Sequence, residues 1–128
     1  MRFLLDTHAL LWVAFRKDLL SLHARRMLET PGNELIVSAA SAWEVATKFR
    51  LGKLPFAGAL VEGFIPKVTA AGYLLLPILP EHALRAGRLP GDHRDPFDRM
   101  LAAQAIHEDL TLLSNDPLLD VFGARREW

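Results

Sequence analysis

Four short apolar segments constrain the fold of this 128-residue chain more than any other feature of its sequence. They are RFLL (2–5), ELIV (34–37), YLLL (73–76) and TLLS (111–114). Their residues do not alternate between polar and apolar, as they would in strands that expose one face to water. Segments with helical periodicity separate them, an order that is typical of a parallel sheet covered by helices. The sequence therefore predicts an α/β fold.

Helical periodicity predicts the elements between these strands. Helices are expected at 7–15, 20–30, 41–51, 57–71, 81–88 and 96–108, and a short fifth strand near 124–128. Pro66 should kink or split the fourth helix, because proline has no N–H for a helical hydrogen bond. No repeat or linker interrupts the pattern, and a chain of this length can bury one hydrophobic core. We expect a single domain over residues 1–128, a three-layer sandwich whose central parallel sheet has four to five strands.

Composition excludes several kinds of protein. The chain has no cysteine, which excludes disulfides, thiolate zinc sites and a cysteine nucleophile. Asp6 interrupts the apolar start too early for a secretory signal, and the longest uncharged run, 68–80, is too short to span a bilayer. We therefore expect a cytoplasmic protein without membrane association. Fifteen Lys and Arg balance fifteen Asp and Glu, so any nucleic-acid binding must depend on a local patch or on metal ions.

Two acids follow predicted strands at the end where open parallel sheets bind ligands. Asp6 comes directly after the first strand and Asp116 just after the fourth. Each precedes a helical segment, so each could simply cap a helix, which contributes about 1 kcal/mol. If the two strands are neighbours, about 4.8 Å apart, the carboxylates would repel by roughly 3 kcal/mol at an effective dielectric constant near 20. That repulsion outweighs most capping and predicts a cation at this edge.

The segment HRDPFDRML, residues 93–101, contains a second pair of acids at the start of the last long helix. Asp95 precedes a proline and is interpreted as the N-cap. Asp98 begins an apolar stripe, since leucine and alanine follow it at three, four and seven residues. A carboxylate on a buried face is unfavourable unless it is paired or binds a metal. We therefore interpret Asp98 as a metal ligand and Asp95 as a supporting cap.

Glu44 is a further candidate with two structural explanations. It lies three residues after Ser41, the spacing of a capping box, and four before Lys48, the spacing of a helical ion pair. Lys48, Arg94 and Arg99 flank the acids and are candidates for contacts with an RNA backbone, although solvated helix faces explain most of the basic residues.

A cluster of carboxylates without cysteine favours hard cations, Mg²⁺ or Mn²⁺. The five histidines show no HxH or HExxH spacing, and each, including His93, is expected on the surface or in a loop. The GxSxG, GxGxxG and P-loop motifs are absent. A hard cation held by carboxylates would activate a water and neutralise charge on a phosphoryl group, so phosphodiester cleavage is the expected chemistry.

The chain resembles the PIN-domain family and, within it, the VapC-type toxins of bacterial toxin–antitoxin pairs. The matching segments, in the family's order, are FLLDTHALLW (3–12), LSLHARRML (20–28), IVSAASAWEVATKFRLGKL (36–54), DPFDRMLAAQA (95–105) and LLSNDPLL (112–119). The resemblance implies that Asp6, Glu44, Asp98 and Asp116 are the acids of the site. Asp6 and Asp98 would bind the metal directly, Asp116 partly through water, and Glu44 would support them. Ser114 lies where the family has a hydroxyl beside the fourth acid.

The same resemblance implies an endoribonuclease that uses Mg²⁺ or Mn²⁺ and leaves 5′-phosphate and 3′-hydroxyl ends. It also implies a small DNA-binding antitoxin as partner and a homodimer. The alternatives are an inactive binding module with the same fold and a PIN nuclease with a role other than that of a toxin. A phosphatase or phospho-acceptor built on Asp6 is disfavoured, because no DxD arrangement follows it.

Three aromatic residues, Trp12, Trp43 and Phe49, lie on predicted helices of the matching segments. Ordinary core packing is one interpretation. The other is an apolar groove, formed by helices 7–15 and 41–51 with residues 51–64, that receives a helix of the antitoxin.

Overall fold

Five parallel strands form one sheet in the order β3-β2-β1-β4-β5. The strands are β1 (Arg2–Leu5), β2 (Glu34–Ser38), β3 (Leu74–Leu76), β4 (Thr111–Leu113) and β5 (Arg126–Glu127). The structure, a computed structural model, describes all residues 1–128. The predicted parallel sheet is confirmed, and the fifth strand expected near the C-terminus is present.

Seven α-helices surround the sheet. They are α1 (Thr7–Phe15), α2 (Leu22–Glu29), α3 (Ala39–Arg50), α4 (Gly58–Glu62), α5 (Phe64–Ala70), α6 (Pro80–Arg88) and α7 (Pro96–His107). Short 3₁₀ segments follow α1, α3 and β4, at Lys17–Leu19, Pro55–Ala57 and Pro117–Phe122. No helix is long and apolar enough to cross a membrane.

The helix predicted at 57–71 is divided at Gly63, and the expected break at Pro66 is wrong. Gly63 ends α4 with a φ of −115°, outside the helical range. Pro66 is the third residue of α5, and the first-turn N–H groups of a helix have no partner within it, so proline interrupts nothing there.

The central strand β1 is buried on both sides, which explains its continuous apolar sequence. Leu4 lies in one buried cluster with Leu101 of α7, whereas Phe3 and Leu5 lie in another with Ala24 of α2. All of these side chains are essentially inaccessible to solvent. Helices therefore cover both faces of the sheet, as the three-layer prediction requires.

Strand β3 differs from the prediction because it lies at the edge of the sheet. Leu74 is 51% exposed and Leu75 is 38% exposed, although the apolar sequence had indicated a strand buried on both faces. The order of the strands leaves β3 with β2 as its single neighbour.

The strand order also positions the acids. β1 and β4 are direct neighbours, with Leu5 aligned with Leu113. The backbone N–H of Asp6 donates to the carbonyl of Leu113 at 3.1 Å, so the chain leaves both strands at the same edge of the sheet.

Candidate active site

Asp6 lies where β1 becomes α1 and caps that helix. Its Oδ1 accepts a hydrogen bond from the backbone N–H of Ala9 at 2.7 Å, and its Oδ2 accepts one from the hydroxyl of Ser114. The residue is only 4% exposed. Burial raises the pKa of Asp6 to about 6, although the two hydrogen bonds and the nearby His8 act in the opposite direction. An ionised Asp6 is therefore unfavourable unless positive charge lies close to it.

Ser114 connects Asp6 to the fourth acid. It is fully buried just beyond β4, and its Oγ accepts a hydrogen bond from the backbone N–H of Asp116 at 3.1 Å. The half-buried Asp116 caps the 3₁₀ segment after β4, with Oδ1 accepting from the N–H of Leu118 at 3.0 Å. The hydroxyl of Ser114 thus links the carboxylate of Asp6 to the backbone of Asp116 at one edge of the sheet.

The two acids of residues 93–101 have the different positions that the sequence predicts. Asp95 is the N-cap of α7, and its Oδ1 accepts from the backbone N–H groups of Phe97 and Asp98 at 2.9 and 3.3 Å. The side chain of Asp98 is 21% exposed, and its Oδ2 accepts a hydrogen bond from Nε2 of His93 at 2.8 Å. The carboxylate of Asp95 is used to cap α7, whereas that of Asp98 lies toward the other acids.

Burial raises the pKa of Asp98, and the charges of Asp95 and Glu44 act in the same direction while the hydrogen bond from His93 opposes them. The charge of Asp98 in turn helps to raise the pKa of Asp6. Asp98 of α7 is therefore close enough to Asp6, just after β1, and to Glu44 of α3 for their charges to interact, and we refer to these three acids as the acid cluster.

Glu44 does not belong to a capping box, because α3 begins earlier than expected. The N-cap of α3 is Ser38, whose Oγ accepts a hydrogen bond from the backbone N–H of Ala40 at 2.9 Å. Ser41 instead lies within the helix, and its buried hydroxyl is 3.0 Å from the hydroxyl of Thr7. This pair links α3 to the start of α1, one turn before Glu44.

Glu44 is almost completely buried, with 3% exposure. Its Oε2 accepts a hydrogen bond from Lys48, as the spacing of the two residues predicts, but its Oε1 is buried without any partner. A buried carboxylate oxygen without a partner is costly, and a cation would remove that cost. The cluster offers only oxygen donors, which fit Mg²⁺ or Mn²⁺.

The three basic residues predicted near the acids have different environments. Lys48 is 29% exposed, and although burial opposes its charge, the hydrogen bond to Glu44 and the nearby acids raise its pKa. Arg94 is exposed.

The guanidinium of Arg99 is held by backbone carbonyls and lies over the ring of Phe122, 5.3 Å from its centroid. Those carbonyls belong to Ala86, Leu89 and His93. Arg99 therefore stabilises the loop before α7, and these carbonyls already occupy its guanidinium.

Arg126 is a site residue that the sequence reasoning missed. It donates to both carboxylate oxygens of Asp120 at 2.7 and 2.9 Å and to the carbonyl of Ser114 at 3.0 Å. The hydrogen bond to Asp120 raises the pKa of Arg126 above its ordinary value, and the charges of Asp116 and Asp6 contribute to that increase. Thr7 and Ser41 were missed as well. No spacing in the sequence reveals such contacts, because they join separate elements.

A second cluster lies near the C-terminal end of α7, about 14 Å along that helix from Asp98. Ligand atoms of His82, His107 and Glu108 lie within 4.8 Å of one another. The backbone N–H of Leu79 donates to Nδ1 of His82 at 3.0 Å, so Nε2 carries the proton and donates to Glu108 at 2.8 Å. A protonated nitrogen cannot bind a metal, so this cluster is structural. The expectation that every histidine is a surface or loop residue is wrong for His82, which is fully buried.

An apolar groove of about 380 Å³ lies between α1 and the α4–α5 segment. The aromatic residues predicted for the core or for such a groove lie elsewhere. Trp12 packs against Trp128 with ring centroids 5.4 Å apart, and Trp43 against Phe97 at 4.8 Å. Phe49 lies over Gly58, where a Cβ atom would approach its ring to 3.0 Å. The groove is instead lined by residues that include Leu10, Phe15, Leu60, Val68 and Tyr73.

Comparison with known proteins agrees with this architecture. Two similar solved structures are VapBC2 from Rickettsia felis, bound to a DNA fragment from its promoter, and VapBC-1 from nontypeable Haemophilus influenzae. The first is 17% identical with a TM-score of 0.66, covering 100% of this chain and 99% of the other. The second is 16% identical with a TM-score of 0.69, covering 99% and 97%. At these identities the likeness establishes the fold.

The sequence itself matches no curated protein. The model of the PIN domain family matches residues 3–123, which include all four acids. The chain therefore belongs to the PIN-domain family.

Proposed function

We propose that this protein is a VapC-type toxin that cleaves RNA phosphodiesters with the help of Mg²⁺ or Mn²⁺. The unpartnered Oε1 of Glu44 is the observation that carries the proposal. The charge of Glu44 contributes to raising the pKa of Asp98, and the charge of Asp98 contributes to raising that of Asp6. Two carboxylates whose pKa values are raised by burial and by neighbouring charge, near a third with an unpartnered oxygen, form a stable arrangement when a divalent cation neutralises them.

Each acid has a role that follows from its environment. Asp6 and Asp98 would hold the ion directly, Asp116 and Glu44 would support it, and Ser114 orients Asp6 through its hydroxyl. When bound, the ion supplies charge neutralisation at the phosphoryl group and lowers the pKa of a water molecule.

The products follow from the bonds that change. In the proposed hydrolysis, a bond forms between the water oxygen and phosphorus as the water loses a proton, the bond from phosphorus to the 3′ oxygen breaks, and the 3′ oxygen takes up a proton. The products carry 5′-phosphate and 3′-hydroxyl ends. Lys48 and the exposed Arg94 are suited to hold the negative backbone near the acids.

A small DNA-binding antitoxin, a homodimer and a cytoplasmic location are part of the same proposal. The antitoxin part is supported by the two similar solved structures, which are VapBC proteins, one of them bound to promoter DNA. The apolar groove between α1 and the α4–α5 segment offers a surface on which a helix of a partner could pack.

The proposal is tested by comparing two neighbouring acids of α7. We expect Asp98→Asn to abolish cleavage of RNA in Mg²⁺ or Mn²⁺, because a metal ligand is lost. Asp95→Asn is the matched control, since asparagine caps helices as well as aspartate does, and it should retain most of the activity. The ends of the RNA fragments should carry 5′-phosphate and 3′-hydroxyl groups.

Two results would contradict the assignment. Full activity of Asp98→Asn would remove Asp98 from the site. Absence of both RNA cleavage and Mn²⁺ binding by the wild-type protein, measured by calorimetry, would favour a binding module that keeps the fold without the chemistry.

A further inference from the structure

An aromatic pair, of which Trp43 is exposed and Phe97 is partly buried, borders the acid cluster. Trp43 directly precedes Glu44 on α3, and Phe97 directly precedes Asp98 on α7. Their ring centroids are 4.8 Å apart with the ring planes at 75°, an edge-to-face contact. Trp43 is nevertheless 58% exposed, whereas Glu44 beside it is almost completely buried. The pair therefore forms an aromatic surface at the mouth of the site.

The surroundings of Trp43 leave its ring accessible. The residues three and four positions away on the exposed side of α3 are small, namely Ala39, Ala46 and Thr47. Phe97 contacts the indole from one side and restricts its orientation. An aromatic ring held in this way loses little conformational freedom when a planar ligand stacks on it.

The chemistry of the adjacent groups indicates which ligand fits. The charged residues Asp95, Asp98 and Lys48 lie near the pair, and an apolar docking helix would leave these charges without partners. A strand of nucleic acid presents phosphates and flat bases side by side. Stacking on aromatic side chains is a common way to bind unpaired bases, and it is a substantial source of affinity.

We propose that Trp43, supported by Phe97, stacks on the unpaired nucleobase next to the phosphate that is cleaved. This inference rests on the proposed ribonuclease function and specifies its substrate as single-stranded RNA with an accessible base at that position. Trp43 then acts as a binding residue, without direct involvement in the chemistry.

The first test measures binding of a fluorescently labelled single-stranded RNA by anisotropy, in the Asp98→Asn background so that the RNA stays intact. Adding Trp43→Ala should weaken binding about tenfold or more, and Trp43→Phe should restore most of it, because the benzene ring still stacks. The matched control is Leu84→Ala, which removes a similarly exposed side chain (64%) beside His107, at the other end of α7. This control should bind as the background does.

The second test measures cleavage by the wild-type protein and by Trp43→Ala on a modified RNA. An RNA whose cleavage position has been mapped is remade with a single abasic nucleotide on either side of that position. Removal of the stacked base should slow cleavage about as much as Trp43→Ala does on the intact RNA. On that abasic RNA, Trp43→Ala should cause no further loss, since the contact is already absent.

The possible failures are distinguishable. If the wild-type protein cleaves RNA but Trp43→Ala binds and cleaves normally, the stacking proposal is overturned and the ribonuclease proposal remains. If Trp43→Ala keeps RNA binding but loses the complex with the antitoxin, the aromatic pair belongs to the protein interface and the proposal is also overturned. If the wild-type protein neither binds nor cleaves RNA, both proposals fail.

Discussion

Replacing Asp6 by asparagine should stabilise the metal-free protein at neutral pH while abolishing its response to Mg²⁺. The pKa of Asp6 is raised to about 6 in the folded protein, from 3.8 for an ordinary aspartate, mainly by burial. Each pKa unit corresponds to about 1.4 kcal/mol, so ionisation of this buried group lowers the free energy of unfolding by about 3 kcal/mol. An asparagine keeps an acceptor for the N–H of Ala9 and carries no charge.

The effect has a defined dependence on pH. Below pH 3.8 the carboxyl group is protonated in both the folded and the unfolded chain, so the substitution should change stability little. Between pH 3.8 and about 6 the folded chain retains a proton that the unfolded chain has lost, and the stability of the wild-type protein falls as pH rises. Above about pH 6 Asp6 is ionised in the folded chain as well, and the wild-type protein shows the full loss of stability relative to the variant. The hydrogen bond from Ser114 weakens in the variant, which offsets about 1 kcal/mol of the gain.

Urea unfolding in EDTA, measured on either side of this pH interval, tests the prediction. The variant should gain about 2 kcal/mol over the wild-type protein near neutral pH and almost nothing in acid. Added Mg²⁺ should stabilise the wild-type protein, by about 2.7 kcal/mol at a concentration a hundredfold above the dissociation constant, and leave the variant nearly unchanged. Asp18→Asn is the control, because Asp18 is exposed and paired with Arg16, which lowers its pKa. That control should not stabilise the protein.

One result would refute the reasoning. If Asp6→Asn is less stable than the wild-type protein at neutral pH in EDTA, then Asp6 serves mainly as a structural cap. The unfavourable burial of its charge would then not be part of a metal site.

Three further predictions concern the packing that holds the site. Leu101→Ala should lower the free energy of unfolding by about 2–5 kcal/mol in urea unfolding, since Leu101 is fully buried; a loss below 1 kcal/mol would contradict this packing. Ser38→Ala should cost about 1–3 kcal/mol, because Ser38 caps α3 and donates to the buried Gln104. In a double-mutant cycle, Ser38→Ala with Gln104→Leu should cost less than the sum, whereas additive losses would show that the two residues are not coupled. Leu74→Lys should change stability by less than about 0.5 kcal/mol in thermal unfolding, since Leu74 lies on an exposed edge strand, and a larger loss would indicate that this edge is covered.

Local sequence alone determined the class of the fold and the separate positions of the two acids at the start of α7. Continuous apolar strands between helices predicted the parallel sheet, and the strands lie close to the predicted positions. Asp95 was correctly identified as a cap and Asp98 as the acid that faces inward. Such features are predictable because capping and helical periodicity depend on residues within one or two turns.

Tertiary structure decided where α3 begins and which strand lies at the edge. Ser41 has the spacing of a cap, but its hydroxyl meets Thr7, and Ser38 caps the helix in its place. The sequence of β3 resembles that of a central strand, yet the strand order leaves it half uncovered.

Several contacts of the candidate site also depend on the tertiary structure. The unpartnered oxygen of Glu44, the contact of Arg126 with Ser114 and the packing of Trp43 against Phe97 depend on how separate elements meet. The sequence by itself determined that acids would follow the strands and begin the helices. Only the order β3-β2-β1-β4-β5 decided which of them became neighbours, because contacts between residues far apart in the chain form when elements pack and have no local sequence pattern.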